Sequence, residues 1–562
     1  MLDDIKNMKK KHKKVRKGYQ VLDNERVVEE GGSEGEEEDD QQGRCSGVSS
    51  GVSSGDRGVL AGSYQQAQVY DGSDEMEEKT EMDVDGVLNE INLGFFHYRL
   101  LFICGLSYMA DAVEIGFLSY ASLCIKEEWN LSTFEASSLT ACLFFGSLVG
   151  NLFVWQRIAD TYGRRPACIL GNFIVLFFGL ATIAAPNLIV LLVILFITGI
   201  GVGSVFVPFD LLAEYLPAKK RGNFLTNINY FWTAGSLFVS FGAWCVISLG
   251  GWRALAVVVA FPVLLSLTLT ICFLPESPRW LVLEGKPLVA ENVIQHVASV
   301  NSSILPPFYF ADIKDNSTDT SAAGTNVWSE IMNSPVYRAI TLKLMVLSFA
   351  WGLSYYGVVL LISRMYSGNN DSEAQEDNHA EDSEGLTFNY VDIFLNALCE
   401  LVGILLTSHI IDRLGRQKSQ ALLYSMGALS HILTSLFFQH ETARNAFAAM
   451  SRISIIGACS VTVVMTPELY PTAMRVGGHA LANSASRIGS IAAPYVAQNM
   501  SMSVTTIGFI FAIVDVSAAL LAFTLPETAG RTLEVPTKMS DAEEIQEIID
   551  FDNSATCIQD KL

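Results

Sequence analysis

The chain has 562 residues, half of them hydrophobic, and a formal net charge of −22. So large an apolar share excludes an ordinary soluble domain of this length. The charge excludes less than it suggests: residues 1–90 carry −10, 364–386 carry −6 and 534–562 carry −6, so the remaining body is neutral and the acidity argues for no nucleic-acid partner.

Residues 1–92 mix Lys, Glu, Gly and Ser with few large apolar residues and read as a disordered cytoplasmic tail. Its basic run, Lys9 to Lys17, is suited to anionic lipid, and Tyr19-Gln20-Val21-Leu22 resembles a sorting signal for vesicle adaptors. Six apolar stretches follow at about 97–125, 134–156, 167–185, 188–214, 223–249 and 254–274, each near the ~20 residues a spanning helix needs. They form a first half, 93–274. A polar central loop, 275–338, separates it from a second half, 339–533, with stretches at about 339–363, 389–411, 420–438, 445–467, 479–500 and 504–525. An acidic tail, 534–562, closes the chain. The fold class expected is an all-α membrane protein of twelve transmembrane helices in two six-helix halves. These are helices 1 to 12 in chain order.

The ten cysteines are scattered without metal-ligand spacing, so neither a disulfide framework, nor a metal, nor any cofactor is expected. The charged start lacks the apolar core of a cleavable signal peptide, which leaves insertion to helix 1. Arg157, Arg164 and Arg165 follow helix 2, Lys219, Lys220 and Arg221 follow helix 4, and Arg413, Arg416 and Lys418 follow helix 8. Basic loops stay cytoplasmic, which places both termini and the central loop on that side. Of the glycosylation sequons, Asn130 and Asn370 then face outward, while Asn301 and Asn316 do not.

Three signals occur twice. Asp160-Thr161-Tyr162-Gly163-Arg164-Arg165 returns as Asp412-Arg413-Leu414-Gly415-Arg416. Glu214, Pro217 and Arg221 return as Glu468, Pro471 and Arg475, and Pro275-Glu276-Ser277 as Pro526-Glu527-Thr528. A parallel two-fold repeat of six helices is the arrangement of the major facilitator fold. The motifs resemble the sugar-porter-like branch of that superfamily. Met109-Ala110-Asp111-Ala112-Val113-Glu114, Ser354-Tyr355-Tyr356-Gly357 and Thr466-Pro467-Glu468-Leu469-Tyr470-Pro471-Thr472 are similar to the synaptic vesicle 2-related proteins. The resemblance covers about 95–533. It departs where a glycine four residues before each loop Asp is Gln156 or Ser408, and where an arginine of sugar porters is Leu195. The counterpart, Arg452 ahead of Gly457, is kept. These departures weigh against a sugar.

The resemblance implies a cytoplasmic gate from Asp160, Arg164, Arg165, Glu214, Arg221, Glu276 and Arg279 in the first half. Asp412, Arg416, Glu468, Arg475 and Glu527 are its second-half counterparts. Guanidinium–carboxylate pairs between the halves would hold that side shut, each modest enough to break when the halves rock; the bland alternative is that the arginines only set topology. Inside the membrane an ionisable residue marks a site by default. Asp111 and Glu114, at i and i+3 in helix 1, and Glu400 in helix 8 are candidates for a coupling proton, since burial and mutual repulsion favour a proton on at least one. The alternative is a structural, hydrogen-bonded set.

Arg487, about eight residues or ~12 Å into helix 11, cannot shed its charge and needs a carboxylate from substrate or protein. Related organic-ion carriers are basic near this position when they carry anions, so the resemblance implies an organic anion. An internal pair with Asp111, Glu114 or Glu400 is the competing reading. Tyr355, Tyr356, Asn227, Asn229 and Trp232 offer ring faces and polar tips to a bound solute, or simply pack.

With no Gly-x-x-x-x-Gly-Lys loop, ATP-driven pumping is not expected, nor is an enzyme. Three functions remain open. The first is a secondary transporter of a small organic anion with protons, the second a facilitator of sugars or organic cations. The third is a binding or regulatory protein of vesicles that does not transport. The membrane is either the plasma membrane or that of an intracellular vesicle.

Overall fold

The structure, a computed structural model, describes residues 80–217, 221–310, 331–366, 388–470, 472–499 and 501–528. The basic run and sorting-like motif of the tail, Asn316, Asn370 and the acidic C-terminal tail lie outside the described residues, as do the side chains of Asp412 and Arg475.

Among the described residues twelve long helices carry the fold. In the first half they are α1 (Phe95–Glu128), α2 (Thr133–Tyr162), α3 (Arg164–Ala184), α4 (Leu188–Ala213), α5 (228–250) and α6 (252–273). In the second they are α7 (Pro335–Met365), α8 (Tyr390–Ile411), α9 (416–436), α10 (Glu441–Glu468), α11 (Thr472–Ala497) and α12 (Val504–Ala522). Helices α5 and α6 run on through one break at Gly251, and α8 and α9 through another at Gly415. Among the described residues nine helices are long and apolar enough to cross a bilayer, the α5–α6 run counting as one. Helices α9 and α11 fall below that mark because their polar side chains bond inside the bundle: Gln420 to Thr462, Ser435 to the His431 carbonyl, Ser486 to the Asn483 carbonyl.

Helix starts follow the local sequence. Ser132 and Glu135 cap α2 reciprocally, Asn187 caps α4 and Ser503 caps α12. Within the second half α7 and α11 touch backbone to backbone. A Cβ on Gly352 would lie 2.1 Å from the Ser486 carbonyl oxygen, and one on Gly489 would lie 2.3 Å from that of Phe349. Gly489→Ala is therefore expected to destabilise the purified protein by about 1–3 kcal/mol, read as a lower midpoint in detergent unfolding.

The disordered tail expected through residue 92 is corrected at its end. Thr80–Glu81 pairs in parallel with Phe308–Tyr309, and Val84–Glu90 is a helix that buries Val84, Val87 and Leu88. The central loop is itself partly folded, with helices Pro278–Leu283 and Pro287–Val300. Asn301 ties the two together: its side-chain oxygen accepts from the Phe96 backbone N–H at 3.0 Å and its amide donates to the Asn92 carbonyl. The two halves meet along α2 against α11 and along the α5–α6 run against the α8–α9 run.

Candidate functional site

The repeated motifs meet inside each half at the end of the bundle that carries the basic loops. Gly163 and Gly415 take φ of 101° and 80°, a region glycine enters without strain, so α3 and α9 start directly after a reversed residue. A carboxylate sits on each exposed helix start. Glu276 accepts from the backbone N–H of Arg164 at 2.8 Å and of Arg165 at 3.3 Å, and Glu527 from those of Arg416 at 2.8 Å and Gln417 at 3.1 Å. A Cβ on Gly163 or Gly415 would run into that same carboxylate.

The arginine side chains then hold the ends of α4 and α10. Arg164 reaches Glu214 and Asp160, each at 3.3 Å, and Arg416 makes a bidentate pair with Glu468 at 3.0 Å. Thr528 also donates to Glu468. Arg165 bonds the Ile271 carbonyl, while Arg221 and Arg279 converge on Asp85, which lies in the segment expected to be disordered. These pairs lie within one half each. Pairs between the halves are expected where this end is shut; in the state seen here, among the described residues, no ion pair at this end joins the two halves.

The opposite end is where the halves close. Ser137 donates to the Pro494 carbonyl, Ser138 bonds the Tyr495 hydroxyl at 3.0 Å, and Phe134 packs on the Tyr495 ring. Gln498 donates to Ser122 at 2.9 Å. At this same end Asn130 is exposed in the α1–α2 turn. In cysteine-substituted protein carrying Ser122→Cys and Gln498→Cys, a short bifunctional thiol reagent is expected to join the halves in most molecules at rest. Absence of a cross-link would show that this closure is not the resting state.

Between the two ends lies a charged, aromatic core. Arg452 of α10 pairs with Glu400 of α8 at 2.6 Å, both buried. Tyr355 of α7 donates to Glu400 at 2.9 Å and accepts from the Trp232 indole of α5 at 2.6 Å, while the Arg452 guanidinium lies over the Tyr355 ring. One chain of contacts thus crosses from the first half to the second. Beside it Arg487 of α11 donates to the Tyr356 hydroxyl at 3.5 Å, and its Nε has no hydrogen-bond partner among the described residues. Asp111 of α1 is within electrostatic reach of Arg487, yet no carboxylate is in contact with that guanidinium among the described residues. Tyr108, Phe144, Trp232, Trp351, Tyr355 and Tyr356 wall the region, with Phe144 4.5 Å and Tyr355 5.1 Å from Tyr356 between ring centres.

Several site expectations are revised here. Arg487 lies fifteen residues, about 22 Å, into α11, because that helix begins at Thr472. Glu400 is locked in a pair and Arg452 is its partner. Glu114 reaches α3, where a Cβ on Gly179 would meet its Oε1 at 2.6 Å. Asn227 flanks the start of α5 rather than reaching the core, and Asn229 bonds Ser460 across the halves at 3.4 Å. Of the five expected solute contacts on α5 and α7, Trp232, Tyr355 and Tyr356 lie in the core. Arg452 carries a signal that the sequence reading passes over. It lies eleven residues into α10 and Glu400 ten residues into α8, two helices that start at the same end, so the opposite charges share a depth of about 15 Å.

A family model described as Sugar (and other) transporter matches residues 66–539. A synaptic vesicle 2-related protein of Xenopus laevis is 31% identical over 461 residues, which cover 80% of this chain and 82% of that one. Organic cation/carnitine transporter 7 of Arabidopsis thaliana is 28% identical over 486 residues, covering 81% and 96%. Among solved structures, the inward open conformation of the xylose transporter XylE from E. coli superposes with a TM-score of 0.59 at 17% identity, over 78% of this chain and 98% of that one. That last likeness is one of fold.

Proposed function

We propose that this chain, which belongs to the sugar (and other) transporter family, is a secondary transporter that moves a small organic anion together with a proton by alternating access. Its relatives and its fold are those of transporters, not enzymes, and it is a multi-pass membrane protein. The observation that carries the anion is Arg487: a buried guanidinium with a permanent charge, an unpartnered Nε and no carboxylate in contact. A carboxylate or similar anion on the solute supplies the missing counter-charge, and the surrounding rings take an apolar or aromatic body.

Asp111 supplies the coupling. Ionised, it competes with the solute for Arg487; protonated, it leaves the guanidinium to the anion. Proton and anion therefore load together, and neither is favoured alone. Glu400 belongs to the fixed frame, not to the proton site. Glu114, apart from Arg487, is the second acid that a proton can reach.

With the basic loops cytoplasmic by the Lys and Arg rule, the state seen here is closed outward, and the ends bearing Arg164 and Arg416 belong to halves free to rock. The gate is then a set of two clamps, each holding its own half rigid as the halves move. The basic run of the N-terminal tail and the vesicle relatives support an intracellular vesicle membrane as its place, with anionic lipid or an adaptor as a tail partner.

A second reading, an organic cation, is favoured by the core's three carboxylates, Asp111, Glu114 and Glu400, against two arginines, Arg452 and Arg487. Uptake into proteoliposomes, with and without an imposed proton gradient, separates the readings. Saturable anion flux driven by an inward proton gradient is expected. Gradient-insensitive flux of a sugar or cation selects a facilitator, and binding without flux selects a non-transporting vesicle protein; either result overturns the proposal.

A further inference from the structure

A second titratable cluster lies in the second half, away from the core. Asp515 of α12 is fully buried. Its Oδ1 accepts from the Ser354 hydroxyl of α7 at 2.6 Å. Its Oδ2 faces the His431 Nε2 of α9 at 3.3 Å, and neither atom has a hydrogen-bond partner. His431 is 3% exposed, and its ring packs on Phe511. The other groups around the pair are Tyr424, in electrostatic reach of Asp515 on α9, and the aliphatic Ile455 of α10, which closes on Gly427 beside Oδ2.

Counted from Gly163 and Gly415, the first-half position that matches His431 is Gly179, against which the Glu114 carboxylate lies. About two turns nearer to Gly163 the helices α1, α3 and α6 meet through Ser107, Asn172, Ser266 and Thr270. Ser107 and Ser266 bond at 3.0 Å, and the Asn172 amide donates to both and to Thr270. That network is fully neutral. An imidazole and a carboxylate buried together at bilayer depth are costly unless they serve each other as partners. Their contact is also incomplete: two facing atoms, both buried, lack the proton geometry that would satisfy them.

We propose that Ser354, His431 and Asp515 form a proton-binding site in the second half, distinct from the acids around Arg487. The ligand is one proton. Neutral imidazole takes it, and the imidazolium formed is paired with the Asp515 carboxylate, which Ser354 holds in place. The site reaches the core through α7, because Tyr355 and Tyr356 follow Ser354 directly. A proton here changes what holds the helix that carries both tyrosines. This proposal does not rest on the anion reading and stands if the solute is a cation or a sugar.

The test is nitrogen NMR of the full-length protein in lipid nanodiscs, with its eight histidines labelled in the ring and the His431 signal identified by its loss in His431→Gln. The signal is expected to convert reversibly between neutral and charged forms on a pH titration. Asp515→Asn is expected to displace its midpoint by about one pH unit or more, while Asp111→Asn leaves it in place. Should Asp515→Asn not fold, Ser354→Ala takes its role and is expected to displace the midpoint as well. A signal that stays neutral throughout, or a midpoint indifferent to both Asp515→Asn and Ser354→Ala, overturns the site. Equal displacement by Asp111→Asn overturns its separateness.

Discussion

Replacing Arg452 with Met is expected to destabilise the protein by about 3–5 kcal/mol, because it leaves Glu400 as an uncompensated carboxylate at the centre of the bundle. The two groups touch at 2.6 Å, and neither is more than 5% exposed. Glu400 would retain the Tyr355 hydroxyl, but one neutral donor does not replace a guanidinium. The measurement is the unfolding midpoint in a reversible detergent titration, for Arg452→Met, Glu400→Gln and the double variant. The double variant is expected to recover most of the loss, since no lone charge remains. If the single and double variants lose the same amount, the pair is not what holds α8 to α10. A second readout follows from the chain Trp232–Tyr355–Glu400. Freed from Arg452, it should loosen the contact between the halves and raise labelling of thiols placed at the outer closure.

Arg487→Ala is expected to abolish anion uptake while leaving the fold nearly intact. The reasoning is the reverse of that for Arg452. Among the described residues Arg487 has no carboxylate in contact, so its loss breaks no direct ion pair of the protein, and Asp111 can take up a proton. What is lost is the counter-charge for the solute, and an unpaired anion in such surroundings binds more weakly by orders of magnitude. Arg487→Lys is expected to restore little, because a point charge on a flexible stem does not reproduce the planar fork beside Tyr356. The companion variant Asp111→Asn mimics a permanently protonated acid. It is expected to keep exchange of the anion between the two sides but to lose stimulation by a proton gradient. Wild-type uptake in Arg487→Ala would exclude contact with the solute, and gradient stimulation retained in Asp111→Asn would move the proton elsewhere.

The repeat was legible because each landmark is local. Gly163 and Gly415 stand at the same step of a short loop, and Glu276 and Glu527 follow the same proline. Their pairing was not legible. Glu276 caps the start of α3 from 112 positions away, and no spacing rule connects a carboxylate after one helix with the start of another three helices earlier. The clamp on Asp85 is the same case, hidden further by a composition that reads as disorder up to the first long helix. For the same reason the partners of the gate arginines in this state were not legible. Opposite charges at matching helix ends are visible in sequence, but whether Arg164 reaches Glu214 or a partner in the other half depends on which end of the bundle is closed.

Composition and pattern by themselves determined that this chain is a duplicated bundle of membrane helices, because apolar length, basic loops and repeated helix-end motifs each depend on neighbours within a few turns. They also singled out Asp111, Glu114, Glu400 and Arg487, since any charge at that depth is conspicuous. Only the tertiary structure decided what those charges do. It joined Glu400 to Arg452, turned Glu114 toward Gly179, left Arg487 without a carboxylate, and set His431 against Asp515. The physical reason is that a buried charge is governed by its contacts, and contacts between helices distant in the chain are set by packing of whole faces.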